Sequence, residues 1–255
     1  MQHYKKNGIE WLEFDLLADI PKVKHATFLR HGGSSTGSFS SLNTGWHVGD
    51  FPFHVEKNIE RIKQQLSSEI SSWNGFCSSR ASHGKEICIV TEKTPQDLVD
   101  FDSLITITPR RSLLMKHADC QIALFYDPVH HIAANVHAGW RGSTLNIYQK
   151  TIDVMKYQFG AQPSNILACI SPSLGPQHGE FVYYQKELPQ EFWKFQIRPH
   201  FFDFWSISEM QLQEAGILPH HIEIARLCTY ADPSHFFSHR RDKITGRHAT
   251  CITLL

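Results

Sequence analysis

The chain has 255 residues, of which 41% are hydrophobic and 20% charged, a globular composition long enough to bury a full core without disulfide or metal staples. Its 25 basic and 25 acidic residues cancel, so nothing marks a nucleic-acid face or an acidic tail, and small anions remain as charged ligands. No apolar run approaches the roughly 20 residues that span a bilayer, and the six cysteines (77, 88, 120, 169, 228, 251) form no CxxC pair, which excludes a zinc-ribbon signature and argues against a disulfide scaffold.

The opening MQHYKKNGIEWLEFDLL carries two lysines but no h-region or small-residue cleavage site, and reads as the start of a mature, cytosolic chain. Short apolar runs over residues 9–30, ending in HATFLR, predict two strands. The following RHGGSSTGSFSSLNTGWHVGD is rich in Gly and Ser, a loop whose backbone can approach a ligand closely. FHVEKNIERIKQQL places Val55, Ile59, Ile62 and Leu66 on one helical face. Residues 67–80 read as a polar loop. EICIVTE, FDSLITI, SLLMKHAD, CQIALFYD and HIAANVHAG then read as successive strands. STLNIYQKTIDVMKYQFG predicts one helix, with Leu145, Tyr148, Ile152, Met155 and Phe159 at helical spacing and Gly160 as its stop. NILACISPSLGP is a strand entering a Pro/Gly loop, residues 203–216 a second helix, HIEIARLCTY a strand, FFSHRRDKITGRH a basic loop and ATCITLL a terminal strand. No linker, repeat or low-complexity tract divides the chain, so residues 1–255 read as one mixed α/β (α+β) domain. The irregular order of elements is unlike strict βαβ alternation, and neither a dinucleotide fingerprint nor a Walker loop is present.

Cys120 and His137 stand at neighbouring ends of two of these strands. Three readings fit them: a thiol nucleophile with its base, two ligands of one metal, or ordinary residues beside a core. Gly139 and Gly142 around Trp140-Arg141 allow a tight turn and present Arg141 near a helix start, a place for an anion. His83, in ASHGKEICIV, also precedes a strand and is followed by Gly. Two imidazoles and one thiolate would make the three-ligand set of a catalytic zinc with an open position. The remaining histidines, among them His130, His131, His220, His221 and His239, read as solvated or locally hydrogen-bonded.

RHGGSS, SLNTG, ASHG, HADC, HAGWRG, ISPSLGP and CTYADPSHFFSHRRD with TGR follow one another in order from about residue 24 to the C-terminus. Together they resemble the YfiH-type family, formerly called the multicopper polyphenol oxidoreductase or laccase-domain family, which includes zinc-dependent purine nucleoside phosphorylases. HADC with HAGWRG at this spacing is specific to it. The resemblance implies a single laccase-domain unit with an αββα-like layering of mixed sheets and helices, related in shape to the cytotoxic necrotizing factor toxins. It implies a Zn2+ held by His83, Cys120 and His137, which are also the catalytic set, and Arg30, Asn43 and Arg141 as substrate- or phosphate-binding residues. The implied activity is phosphorolysis of adenosine, inosine or guanosine, extending to methylthioadenosine, together with deamination of adenosine. The partners are then a small purine nucleoside and phosphate, with no nucleic acid, membrane or disulfide partner, in the cytoplasm. Ala81-Ser82, Gly179-Glu180-Phe181 and Ile170-Ser171-Pro172-Ser173 depart from the family pattern, while all three ligands are retained.

Zinc lowers the pKa of bound water towards about 7, which suits deamination at a purine C6. Phosphorolysis needs a cationic pocket beside the ribose, for which Arg30 at the head of the Gly-Ser loop is the first candidate and Arg141 the second. Four alternatives stand beside this reading: a cysteine hydrolase or deamidase using Cys120 and His137, a peptidoglycan-precursor editing factor, a nucleotide-sensing binding protein, and a copper-dependent polyphenol oxidase. The last lacks the paired HxH histidines of multicopper centres, which makes copper on the Cys-His set adventitious.

Overall fold

In the computed structural model, which describes residues 1–255, two β-sheets face each other and helices cover both outer surfaces. The chain begins with β1 (Gln2–Lys6), β2 (Ile9–Glu13), α1 (Asp15–Ala18) and β3 (Val23–Phe28), then α2 (Pro52–Glu69) and β4 (Phe76–Arg80). β5 (Ile87–Val90), β6 (Asp97–Val99), β7 (Ser103–Thr106), β8 (Ser112–His117), β9 (Gln121–Asp127) and β10 (Ile132–Ala138) follow. The second half holds α3 (Trp140–Thr144), α4 (Ile147–Phe159), β11 (Leu167–Ile170), α5 (Tyr184–Glu187), β12 (Gln196–Arg198), β13 (Phe201–Phe202), α6 (Phe204–Glu214), β14 (Ile222–Ile224), α7 (His239–Asp242) and β15 (His248–Leu254). One sheet runs β1-β2-β3-β15-β8-β4-β6, the other β14-β11-β9-β10-β7-β5, and β12-β13 form a separate ribbon. The expected αββα layering is therefore present.

β9 shows why its sequence has no polar alternation. Ile122, Leu124 and Tyr126 face the space between the sheets, where they meet Leu113, Met115 and Ile252 of the first sheet. Ala123 and Phe125 face outward onto Ile147, Tyr148, Ile152 and Met155 of α4. Both faces are buried, and each large side chain removed from water contributes roughly 1.5–3 kcal/mol. The other outer face packs Val55, Ile59, Ile62 and Leu66 of α2, the residues expected from their spacing, on Trp11, Phe28 and Phe76.

Several elements differ from the sequence expectation. Residues 76–80, expected as loop, form β4, because the polar Ser78 and Ser79 are buried and Ser78 Oγ donates to Asp97 at 2.9 Å. β1, which the apolar pattern does not mark, is a strand of exposed residues that pairs antiparallel with the buried β2. The single helix expected after Ser143 is two, divided at Asn146, whose φ of 47° interrupts the helical path and whose side chain caps α4 by accepting from the Gln149 amide. Leu145 is consequently exposed instead of lying on the apolar face. The strand expected over HIEIARLCTY is only the three residues of β14, and the basic loop contains the short α7.

Candidate active site

The two segments flanking Cys120 belong to different sheets. β8 lies in the seven-stranded sheet and β9 in the six-stranded one, so the Ala118-Asp119-Cys120 turn is a crossing between layers. His83 lies on a second such crossing, between β4 and β5. His137 reaches the same place from within the six-stranded sheet: β10 pairs antiparallel with β9, with His137 opposite Ile122 and Ala138 opposite Gln121. The end of β10 thus lies beside the start of β9, one residue from the thiol.

The ligand atoms of His83, Cys120 and His137 lie within 4.8 Å of one another. Cys120 Sγ is 3.7 Å from His83 Nε2, and the two imidazole rings meet perpendicularly at 4.9 Å. Room for this comes from Gly139, where a Cβ would fall 2.8 Å from His83 Cδ2 and 3.2 Å from the Cys120 sulfur. His83 (φ 62°) and Asp119 (φ 84°) both adopt left-handed backbone, uncommon for non-glycine residues and held here by neighbouring bonds. Asp119 accepts from Thr229 Oγ1 at 2.7 Å and from the Arg240 amide at 2.6 Å, which latches residues 229–240 to the thiol turn.

Behind the group lies Asp102, a residue the sequence reading missed. It accepts from the amides of His83 and Gly84 at 3.0 and 2.9 Å, from Ser82 Oγ at 3.0 Å and from His137 Nδ1 at 2.9 Å. Burial would raise its pKa, but the bonds from His137, Gly84 and Ser82 outweigh burial and bring it down to about 2. An ionised carboxylate only accepts, so His137 carries its proton on Nδ1 and turns Nε2 towards Cys120. Burial disfavours a charged thiolate at Cys120, yet the His137 and His83 imidazoles more than compensate and lower its pKa. His137 responds in the opposite sense: burial lowers its pKa, while Cys120 and Asp102 together raise it. Both shifts favour a thiolate beside a positive partner, which a proton or a metal cation can provide. A thiolate nucleophile needs one imidazole. Two imidazoles converging with one sulfur match the donor set of an open, three-ligand zinc site.

The group opens on a cavity of about 730 Å³, within the range of small-molecule sites. Trp46, Val48, Trp140, Phe181 and Phe204 form apolar wall, and Lys116, Arg141, His239, Arg240 and Arg247 add basic groups. Arg141 lies over the Trp140 ring at 4.5 Å. Arg240 donates to the Glu180 carbonyl at 3.0 Å, and Arg247 Nη1 donates to the carbonyls of Thr245 and Gly246. His239, which reads from sequence as solvated, is exposed but stands in this wall.

Two candidates from the sequence do not line the cavity. Arg30 donates to the carbonyls of Ser40 at 2.8 Å and Pro233 at 2.7 Å and lies 4.7 Å over Phe237, bracing the Gly-Ser loop against the chain before α7. Asn43 is wholly buried, donating to Asp50 at 2.9 Å and accepting from the amides of Gly45 and Arg247, both at 2.8 Å. It positions the wall without forming it. Asp102, Arg240 and Arg247 had only weak signals: an acidic residue opening the FDSLITI strand, and two arginines in a basic loop.

A family model described as multi-copper polyphenol oxidoreductase laccase matches residues 24–255. A purine nucleoside phosphorylase of Bacteroides thetaiotaomicron is 30% identical over 247 residues, covering 90% of each chain. The purine nucleoside phosphorylase YfiH of Shigella flexneri is 31% identical, covering 92% of this chain and 96% of its own. Among solved structures, YfiH of Bacillus licheniformis aligns with a TM-score of 0.87 at 28% identity over 98% of this chain and 97% of its own. YlmD of Geobacillus stearothermophilus aligns at 0.85 and 27% identity, over 98% and 97%.

Proposed function

The chain belongs to the multi-copper polyphenol oxidoreductase laccase family, the family of YfiH and YlmD, and on that premise we propose that it is a zinc-dependent purine nucleoside phosphorylase with adenosine deaminase activity. The observation that carries this reading is the convergence of two imidazoles and one thiolate at a cavity with aromatic and basic walls. Zn2+ would be held by His83, Cys120 and His137, and when bound would supply a Lewis acid able to lower the pKa of water towards neutrality.

The protein's own residues do the rest. Asp102 fixes the tautomer and direction of His137 and ties down the His83 backbone, so the ligands are organised before anything binds. Trp46, Trp140, Phe181 and Phe204 offer flat apolar surface for a purine. Arg141 is the phosphate residue in this reading, because it lines the cavity and Arg30 spends its guanidinium on carbonyls. Arg240 and Arg247 add positive potential to the cavity, which suits an anionic co-substrate such as phosphate. All six cysteines are free thiols, which fits a reducing, cytoplasmic setting.

The test is product analysis with metal quantification. Zinc-loaded protein is expected to turn inosine into hypoxanthine only when phosphate is added, and adenosine into inosine without it. Absence of product from every purine nucleoside in protein carrying one zinc per chain would reject the reading.

A further inference from the structure

A second set of ligating side chains gathers away from this cavity, contributed by separate stretches of the chain. Glu10 on β2, His31 after β3 and His235 before α7 place their ligand atoms within 4.8 Å of one another. His3 on β1 adds a third imidazole, with Nε2 3.0 Å from Glu10 Oε2. The rings of His31 and His235 meet edge-on at 5.4 Å, and those of His3 and His235 at 6.1 Å. Asp232 Oδ2 lies 2.8 Å from His235 Nδ1. That bond repeats the arrangement of Asp102 with His137: the carboxylate accepts from Nδ1–H and leaves Nε2 its lone pair. Glu10 is buried, and Lys5 holds its other oxygen at 2.9 Å.

We propose that Glu10, His31 and His235 form a second, structural Zn2+ site, with His3 as the fourth ligand. Two imidazoles and a carboxylate are an established zinc donor set, and a further imidazole closes the tetrahedron. Bonds of about 2.0–2.2 Å place tetrahedral donors roughly 3.3–3.6 Å apart. Side-chain rotation of the half-buried His31 and His235 supplies the contraction from the present spacing. The ion would displace the Glu10–His3 contact and join the β1–β2 hairpin to the 232–235 turn. That turn runs into the cavity residues His239 and Arg240. The alternative is a purely electrostatic cluster in which Lys5 and His3 already neutralise Glu10.

Zn2+ titration by calorimetry separates the two. The His83→Ala/Cys120→Ser variant lacks the first group and is expected to bind one zinc per chain, with a higher Tm when zinc is present. Adding His31→Ala or His235→Ala is expected to weaken that binding at least tenfold. Should the double variant not fold, the same comparison is made in the otherwise native chain, where two equivalents are expected to fall to one in His31→Ala/His235→Ala. A Co2+ spectrum of that remaining equivalent should show thiolate charge transfer, and that of the double variant should show none. No zinc binding by the folded double variant, or stoichiometry unchanged by the histidine substitutions, would overturn the second site.

Discussion

Asp102 accepts hydrogen bonds from both sides of the proposed metal-ligand group, which makes it the residue whose replacement reads out preorganisation. In Asp102→Asn one acceptor becomes an NH2 group facing amide or imidazole N–H, and His137 loses the carboxylate that sets its tautomer. Zinc affinity is expected to fall about 10–100-fold, measured by competition with a chromophoric chelator, in a protein that still folds. Unchanged affinity would remove Asp102 from the positioning role. The two arginines separate in a similar way. Arg30→Ala is expected to cost about 0.5–1.5 kcal/mol of stability, through loss of its hydrogen bonds to the exposed Ser40 and Pro233 carbonyls, and to leave KM for phosphate unaltered. Arg141→Ala is expected to lower phosphorolysis about tenfold, the modest scale reflecting an exposed side chain, while sparing deamination. The reverse pattern in steady-state kinetics would return the phosphate role to Arg30. His83, Cys120 and His137 were legible because each sits in a short motif at a strand end. Asp102 was not, because its partners meet it only after β7 and β10 pair, and Val136 opposite Ser103 is a long-range register.

At the level of the element, β3 and β15 each carry a buried histidine used as a neutral group. The Phe14 amide donates to His25 Nε2 at 2.6 Å, and the Phe237 amide donates to His248 Nε2 at 2.8 Å while His248 Nδ1 donates to the Phe28 carbonyl. Burial lowers His25 from 6.5 to about 4 and His248 to about 3. Both pKa values are depressed on folding, so the unfolded chain binds these protons first. Stability is full above pH 6.5 and declines as pH falls towards 4, by about 1.4 kcal/mol per pH unit for each histidine. His25→Gln keeps an acceptor without the titration, and its urea-unfolding free energy should lose one proton's worth of that slope; an unaltered slope would mean His25 is not the group responsible. The connection from β10 to α3 has its own test. Gly139→Ala needs no unusual φ, since Gly139 sits at −74°, but its methyl would press on His83 and the Cys120 sulfur. Weaker zinc binding with little change in the Tm of the zinc-free protein is expected, and full affinity would show that the ligands can move aside. The elements themselves were readable wherever burial imposed a period, as in α2. β4 escaped because its buried serines satisfy one another's neighbours by hydrogen bonds instead of by apolar contact, and the break at Asn146 escaped because a single left-handed residue leaves the 3–4 spacing almost intact.

The whole molecule places the proposed metal-ligand group where the chain crosses between two sheets, at strand ends and outside the main apolar clusters. The layered architecture therefore does not depend on an ion at this group, whereas the chemistry proposed for it does. Chelation should separate the two. Treatment with a strong chelator is expected to abolish nucleoside turnover, and Zn2+ to restore it, while far-ultraviolet circular dichroism stays unchanged. Losing a site saturated at 100 times its Kd removes about 2.7 kcal/mol of stability, and at roughly 2–4 °C per kcal/mol for a chain of this size Tm should drop by about 5–10 °C. The His31→Ala/His235→Ala background keeps the second proposed site from contributing to that drop. A cysteine hydrolase built on Cys120 and His137 would behave differently: its thiolate and imidazole remain after chelation, so turnover would persist and thiol alkylation alone would stop it. Both schemes lose activity in Cys120→Ser, which is why the chelator and not the mutation decides. Full turnover in protein shown to hold less than a tenth of an equivalent of any transition metal would reject the metal-dependent scheme and leave the thiolate, oriented by His137 and Asp102, as the reacting group.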